Sequence, residues 1–325
     1  MAKDDKLRVV MVNVRQGDCI AIQLPSGEVM LVDCNKPTGS DIPPVINYLN
    51  EFAERRGGIY DIDLLCLTHP DRDHYTGLVD VIDWVQRKGG SVKRLIHFAS
   101  KFRRGYEAAL RKFTMLPDDQ KAGFVFECGE FKKLMECMAA VKENIQEHEK
   151  TAPKEWSFER ADGFKPTARF TDVSVDILGP KSSDVQKFEE DSWNNLLEGW
   201  PFGKSNESKS TNVLSCILCV RFKSLRVLLT GDSPEETLLS AVSSCVSRFR
   251  QYKGVTFDII KIPHHGAASS SSINLWKALS GRSGYMLISA GLDRRYGHPH
   301  TETLRHIGAS CPNHELVCTN YCPDA

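Results

Sequence analysis

Leu64-Leu65-Cys66-Leu67-Thr68-His69-Pro70-Asp71-Arg72-Asp73-His74-Tyr75-Thr76-Gly77 is a short apolar run that ends in two histidines and two aspartates. Apolar runs of this length, bounded by polar residues, read as buried strands. Such a strand cannot keep charges in its interior, so the four polar side chains must lie beyond its end, at the rim of a sheet. Imidazole and carboxylate together are the ligand set of Zn²⁺, Mn²⁺ or Fe²⁺. A merely solvated loop would not account for so many nitrogen and oxygen donors at the end of one strand.

Of the 325 residues, 41% are hydrophobic and 26% charged, which is enough for a sizeable core in one large domain or two small ones. The formal net charge is zero, which excludes a uniformly basic coat and confines any polyanion site to a local patch. No run of about 18 apolar residues occurs, and Met1 to Lys6 carries no signal-peptide core, so no membrane segment is expected. Of the eleven cysteines, Cys19, Cys34, Cys66, Cys216 and Cys219 fall in apolar, strand-like runs, as small hydrophobes do. The expectation is reduced thiols and a cytoplasmic location. Cys216 and Cys219 would point to opposite faces of a strand and make a poor metal knuckle. Cys311, His314, Cys318 and Cys322 match no strong zinc spacing.

Outward from the opening stretch, the chain alternates strands and helices. Strands are expected at Leu7 to Val14, Cys19 to Leu24 and Val29 to Val32, with Gln16-Gly17-Asp18 and Pro25-Ser26-Gly27-Glu28 as turns. Pro43 and Pro44 open a helix with Val45, Ile46, Tyr48, Leu49 and Phe52 at helical spacing, closed by Gly57-Gly58. Ile62 to Leu67 delivers the metal loop, a helix follows through Leu78, Val79, Ile82 and Val85, and Lys93 to Phe98 is again a strand. This is an α/β layer pattern. Residues 99–171 are rich in Lys, Arg and Glu and read as a helical insertion, with helices near Tyr106 to Phe113 and Phe131 to His148. Residues 181–210 read as a long polar loop. Strands resume at Val173 to Leu178, Val213 to Phe222, Arg226 to Leu229, Phe257 to Ile262, Tyr285 to Ala290 and Leu316 to Thr319. Helices are expected at Pro234 to Val242, from the Ser269 to Ser272 turn through Leu279, and up to Ile307.

Three strands thus end in ligand-type residues: His69, Asp71, Asp73 and His74 on the first, Asp232 on the second, His264 and His265 on the third. A turn carboxylate or a capping histidine is an ordinary finding by itself. Their joint occurrence in this order is not. His-x-Asp-x-Asp-His followed by x-x-Gly resembles the second metal motif of the metallo-β-lactamase fold. Asp71, where most of that superfamily has His, resembles the branch typified by the hydrolase domain of the ComEC/Rec2 DNA-uptake proteins. Lys261-x-Pro263-His264-His265-Gly266, Gln16-Gly17-Asp18 and Arg295-Tyr296-Gly297-His298-Pro299-His300 are similar to that branch as well. Arg15 stands where the branch usually has Gly. The resemblance covers residues 7–98 and 172–320, leaving the insertion outside it, and its pattern runs slightly beyond the end of this sequence.

The resemblance implies an α/β, αββα sandwich, here a single domain over residues 1–325. It implies one or two divalent ions, Zn²⁺ or Mn²⁺ with Mg²⁺ as a further possibility, held by His69, Asp71, Asp73, His74, Asp232 and His265. Asp33 would support the metal loop by hydrogen bonding, and Asn212, Ser215, His264, Tyr296 and His300 would orient ligands or substrate. The middle histidine that the fold normally supplies has no counterpart: His97 and His148 are the only histidines in the interval, and both read as structural. The site of His69, Asp71 and Asp232 is therefore short of donors, and its carboxylates shift preference towards Mn²⁺ or Mg²⁺.

A metal-activated hydroxide would attack phosphorus, with Asp73 orienting it, His298 protonating the leaving group or holding a phosphate oxygen, and Arg295 neutralising charge. The expected function is a metal-dependent phosphodiesterase or nuclease with DNA as its partner and substrate. The alternatives are hydrolysis of a small phosphodiester such as a cyclic nucleotide, or of another ester, and a metal-binding effector module with weak catalysis.

Overall fold

A computed structural model describes residues 5–98, 118–152, 155, 157–161, 164–187, 211–248, 252–292 and 296–320. Two mixed sheets form its centre. In the first, β1 (Arg8–Met11), β2 (Ile20–Gln23) and β3 (Val29–Val32) run antiparallel, followed by parallel β4 (Leu64–Leu67), β5 (Arg94–Phe98) and β6 (Ser157–Ala161). In the second, β7 (Lys165–Arg169), β8 (Val173–Gly179), β9 (Ile217–Phe222) and β10 (Leu225–Leu229) are antiparallel. Parallel β11 (Phe257–Lys261), β12 (Ser280–Ile288) and β13 (His314–Cys318) complete it.

The two-residue period of a strand sorts side chains into layers. Ile20, Ile22, Met30, Val32, Leu64 and Cys66 of the first sheet share one buried cluster with Val175, Ile177, Leu218, Val220, Val227 and Leu229 of the second. Their neighbours Ala21, Leu31, Leu65, Leu67 and Leu95 face outward instead. They meet α1 (Val45–Arg55), α3 (Leu78–Arg87) and α4 (Asp118–Glu149) through Leu49, Phe52, Val81, Ile82, Leu134 and Val141. On the far side, Ile217, Cys219, Leu228 and Ile260 meet α5 (Glu235–Arg248), α6 (Ile273–Leu279) and α7 (Thr301–Ser310) through Leu238, Trp276 and Ile307. Strands buried on both faces read as continuous apolar runs, which explains the Leu-Leu-Cys-Leu of β4. The layer order is helix, sheet, sheet, helix.

Three expectations change. The segment 99–171 is not helical throughout: α4 ends at Glu149, and β6 and β7 lie within that segment as edge strands of the two sheets. The reason is that α4 packs back on the first sheet and leads the chain into a strand parallel to β5. Its expected helix at Tyr106 to Phe113 lies outside the described residues. In the expected loop 181–210, residues 182–187 are helical and Val185 is buried against the first helical layer, while 188–210 lie outside the described residues. Tyr48 points off the apolar face of α1 and is 38% exposed. Cys216 and Cys219 do face opposite layers, and nine cysteines among the described residues are free thiols.

Leu218 is fully buried between the sheets, so Leu218→Ala should lower the unfolding free energy by about 3 kcal/mol in chemical denaturation. A loss under about 1 kcal/mol would mean that the sheets are not packed through this residue.

Candidate metal centre

Five strands stop at the same seam between the sheets and deliver the site. Asp33 follows β3, the Thr68–His74 loop follows β4, Asp232 follows β10, His265 follows β11 and Ser289 follows β12. α2 (Arg72–Tyr75) turns Asp73 and His74 back towards the strand ends. The turn Thr230-Gly231-Asp232 packs so closely that a Cβ on Gly231 would lie 3.0 Å from Thr68 Cβ. Thr68 O accepts from Cys216 N at 2.9 Å, which ties the metal loop to the opposite sheet.

The hydrogen bonds fix the tautomers. Asp33 Oδ1 accepts from Thr68 N at 2.8 Å, and Oδ2 accepts from Thr68 Oγ1 at 2.6 Å and from His74 Nδ1 at 2.7 Å. Because the Thr68 hydroxyl proton goes to Asp33, its oxygen is the acceptor for His69 Nδ1 at 3.0 Å. His265 Nδ1 donates to Ser289 O at 2.8 Å. All three imidazoles thus carry their proton on Nδ1 and turn a bare Nε2 lone pair inward. Nε2 of His69 and of His74 are buried without any hydrogen-bond partner. His265 Nε2 faces Asp73 Oδ2 at 3.1 Å and Asp232 Oδ2 at 3.3 Å, and His74 Nε2 lies 3.4 Å from the same Asp232 oxygen. Lone pairs facing carboxylates need a cation between them, so the donor set fits a divalent metal. The matching groups are His69, His74 and Asp232, and Asp73, His74 and His265, each with ligand atoms within 4.8 Å of one another.

Without a metal, a proton takes that place. Burial opposes charging His74, but Asp232, Asp33 and Asp73 raise its pKa well above the usual value. Burial likewise opposes charging His265, and Asp232 and Asp18 outweigh it.

Two site residues escaped the sequence reading. Asp18, which had passed as part of a turn, is buried and lies 3.4 Å from His265 Nδ1. Lys261 is wholly buried, pairs with Asp18 Oδ2, donates to Gly231 O at 2.8 Å and lies 3.3 Å from Asp232 Oδ1. Burial disfavours its ammonium, yet Asp18 and Asp232 raise its pKa and keep it charged. It occupies one oxygen of Asp232 and leaves Oδ2 to the histidines. The signal was there: a lysine inside Ile-Ile-Lys-Ile must have a buried partner.

The remaining expected residues divide. Thr211 Oγ1 donates to Asp71 Oδ1, while Asp71 Oδ2 lies 3.5 Å from His69 Nε2. Ser215 Oγ accepts from Asp232 N at 3.1 Å, and Asn212 Nδ2 meets His264 Nδ1 at 3.4 Å. His264 thus stands beside the cluster, and His265 is the inward imidazole. His300 is locked by backbone, accepting from Ala268 N and donating to Tyr296 O, both at 3.0 Å. Its role is to brace the loop. His298 Nδ1 accepts from Gln16 Nε2 at 3.3 Å, which leaves Nε2–H as the donor. Burial, with His264 and His265 nearby, lowers its pKa to about 4, so it is neutral at pH 7. Tyr296 stacks on it at 6.0 Å, and Arg295 lies outside the described residues. His97 is buried in β5, and His148 is bonded to Asn144 O within α4 at 2.9 Å.

Two sheets between helical layers, with His-x-Asp-x-Asp-His, Asp and His at the ends of β4, β10 and β11 in this order, decide the architecture. The chain has the metallo-β-lactamase fold. No family model matches this metallo-β-lactamase-fold chain. It is 24% identical over 248 residues to ComE operon protein 3 of Bacillus subtilis (strain 168), a match that covers 76% of this chain. The chain spans only 22% of that relative's length. Among solved structures, the metallo-β-lactamase fold protein YhfI from Bacillus subtilis aligns at 9% identity and TM-score 0.48, covering 96% of this chain and 95% of its own. Zn²⁺-bound PqqB from Methylobacterium extorquens aligns at 12% identity and TM-score 0.41, covering 96% and 89%.

Asp33→Asn should weaken divalent-metal binding about 10- to 100-fold in calorimetry, because the amide would no longer hold the His74 tautomer; unchanged affinity would remove Asp33 from this role. A second outcome concerns pH. Folding raises the pKa of His74 and His265 above the ordinary 6.5, so their stabilisation of the chelated protein is complete below that pH. It is lost as pH rises through their folded values. The Tm of the chelated protein should therefore fall as pH is raised above neutrality, and added Mn²⁺ or Zn²⁺ should reverse the loss. A Tm indifferent to pH and metal would contradict the protonation described.

Proposed function

We propose that this metal-dependent hydrolase is a phosphodiesterase that cleaves nucleic acid, with DNA its foremost substrate. The observation that carries the proposal is the set of three imidazoles locked with Nε2 inward around Asp232 Oδ2, beside the neutral, donor-bearing His298. Asp73, His74, Asp232 and His265 would hold one divalent ion and His69, Asp71 and Asp232 a second, and metal bound there would supply acidified water and polarisation of a phosphoryl oxygen. The chain's own residues do the rest. Asp33, Ser289 and Ser215 hold the ligand atoms in place, and Asp73, partly open to the cleft, orients the attacking water. His298 donates Nε2–H to a phosphoryl oxygen and, being neutral, acts as a hydrogen-bond donor rather than a stored proton.

The size of the cleft is in keeping with a large substrate. Its volume is about 1580 Å³, larger than the roughly 300–1,000 Å³ usual for small-molecule sites. The motifs similar to the ComEC-like branch point the same way, although the cleft walls mix Arg15, Lys36 and Lys133 with Asp80 and Asp83 rather than being uniformly basic. No helix among the described residues is long and apolar enough to cross a membrane.

Purified protein should be assayed on single-stranded DNA, duplex DNA, RNA and cyclic nucleotides with Mn²⁺, Mg²⁺ or Zn²⁺. Asp73→Ala should lower kcat about a thousandfold with loss of metal. His298→Ala should lower it about 10- to 100-fold with metal content intact. Turnover of cyclic nucleotides alone would select the small-diester reading, and retained metal without turnover of any substrate would select the effector reading.

A further inference from the structure

Arg15 lines the cleft but belongs to no candidate metal group, and its backbone conformation is unusual. It lies between β1 and β2 with φ of 61°, a left-handed conformation that non-glycine residues seldom adopt. Its backbone N–H donates to Asn13 Oδ1 at 3.0 Å, and Nη1 reaches Thr38 O at 3.4 Å. The side chain is exposed and lines the cleft that also holds Asp73, Asp232, His265 and His298. Among the described residues no carboxylate pairs with it, whereas Lys36 on the same wall is taken by Asp80 at 2.6 Å. A guanidinium keeps several donors in a fixed fork, suited to a phosphate's oxygens.

An apolar surface adjoins it. A Cβ on Gly291 would lie 2.5 Å from Gln16 N and 2.7 Å from Arg15 C, so the chain at Gly291 presses directly on the Arg15 turn. The next residue, Leu292, lines the cleft and is 82% exposed. Tyr296, half exposed, lines it too. A single exposed leucine is unremarkable, but a cation, an aliphatic side chain and an aromatic ring lining one cleft match a nucleotide's phosphate and base.

We propose that Arg15, Leu292 and Tyr296 form a subsite for the nucleotide flanking the scissile phosphodiester, with the guanidinium on its phosphate and the apolar pair against its base. This rests on the nucleic-acid reading given above and names the group that would read the polymer.

Arg15→Gly is the cleanest test, because glycine adopts φ near +61° without strain, and an unchanged Tm would show that the fold is kept. The variant and wild type should be compared on a single-stranded 12-mer and on bis(p-nitrophenyl) phosphate with Mn²⁺. In parallel, 12-mer binding should be followed by fluorescence anisotropy across a salt series in an Asp73→Ala background. Arg15→Gly should raise KM and Kd for the 12-mer on the order of fivefold more than KM for the small diester. It should also flatten the slope of log Kd against log salt by about 0.7, one phosphate contact on a single strand. Arg15→Lys should keep that slope, and Leu292→Ser should raise Kd without changing it. Equal losses on both substrates, or a 12-mer Kd and salt slope untouched by Arg15→Gly, would overturn the subsite. So would the absence of 12-mer binding before Arg15 is changed. Wild type inactive on both substrates would instead sink the phosphodiesterase reading, while the anisotropy series still decides on Arg15.

Discussion

The site depends on one buried carboxylate. Asp33 accepts three hydrogen bonds, from the backbone and hydroxyl of Thr68 and from His74, and it is all but inaccessible to solvent. Leaving any of these donors unpaired in the interior would cost about 1–3 kcal/mol, so the local geometry has little freedom. From that constraint the rest follows in sequence. The Thr68 hydroxyl is oriented, the His69 proton is placed on Nδ1, and two lone pairs are aimed at one point.

Charge balance is the second constraint. Asp18 and Asp232 are both buried beside the imidazoles, and two carboxylates so placed cannot both stay ionised without compensation. Lys261 supplies one positive charge from inside the protein, and the site supplies the rest as protons or as metal. The lysine therefore does more than fill space at the end of β11. It assigns the two oxygens of Asp232 to different tasks, one bonded to protein and one open to the cleft.

Much of this was legible in the sequence, because strand ends are marked by abrupt changes in polarity. The apolar run before His69 predicted both the buried strand and the rim position of the ligands, and Asp232 and His265 follow the same rule. Two kinds of feature were not legible. The run Ile259-Ile260-Lys261-Ile262 marks a buried lysine, but its partner Asp18 lies more than two hundred residues away in the chain and no local pattern names it. The strands β6 and β7 sit at sheet edges, and their sequences, Ser-Phe-Glu-Arg-Ala and Lys-Pro-Thr-Ala-Arg, carry no clean apolar alternation. His298 stands out by its motif, but its protonation state depends on two histidines delivered by another strand.

The seam position of the metal centre has a consequence for how such a domain is inherited. The candidate ligands and the residues that brace them lie at strand ends or in the short segments beside them, whereas the outer helices supply apolar packing and, through Asp80 and Asp83 of α3 and Lys133 of α4, part of the cleft wall. Sequence can drift across those outer layers, and segments can be spliced into the connections between them, without moving a donor atom. The donor geometry is thus insulated from change in the outer layers, because the strand ends that set it are held in register by the sheets themselves.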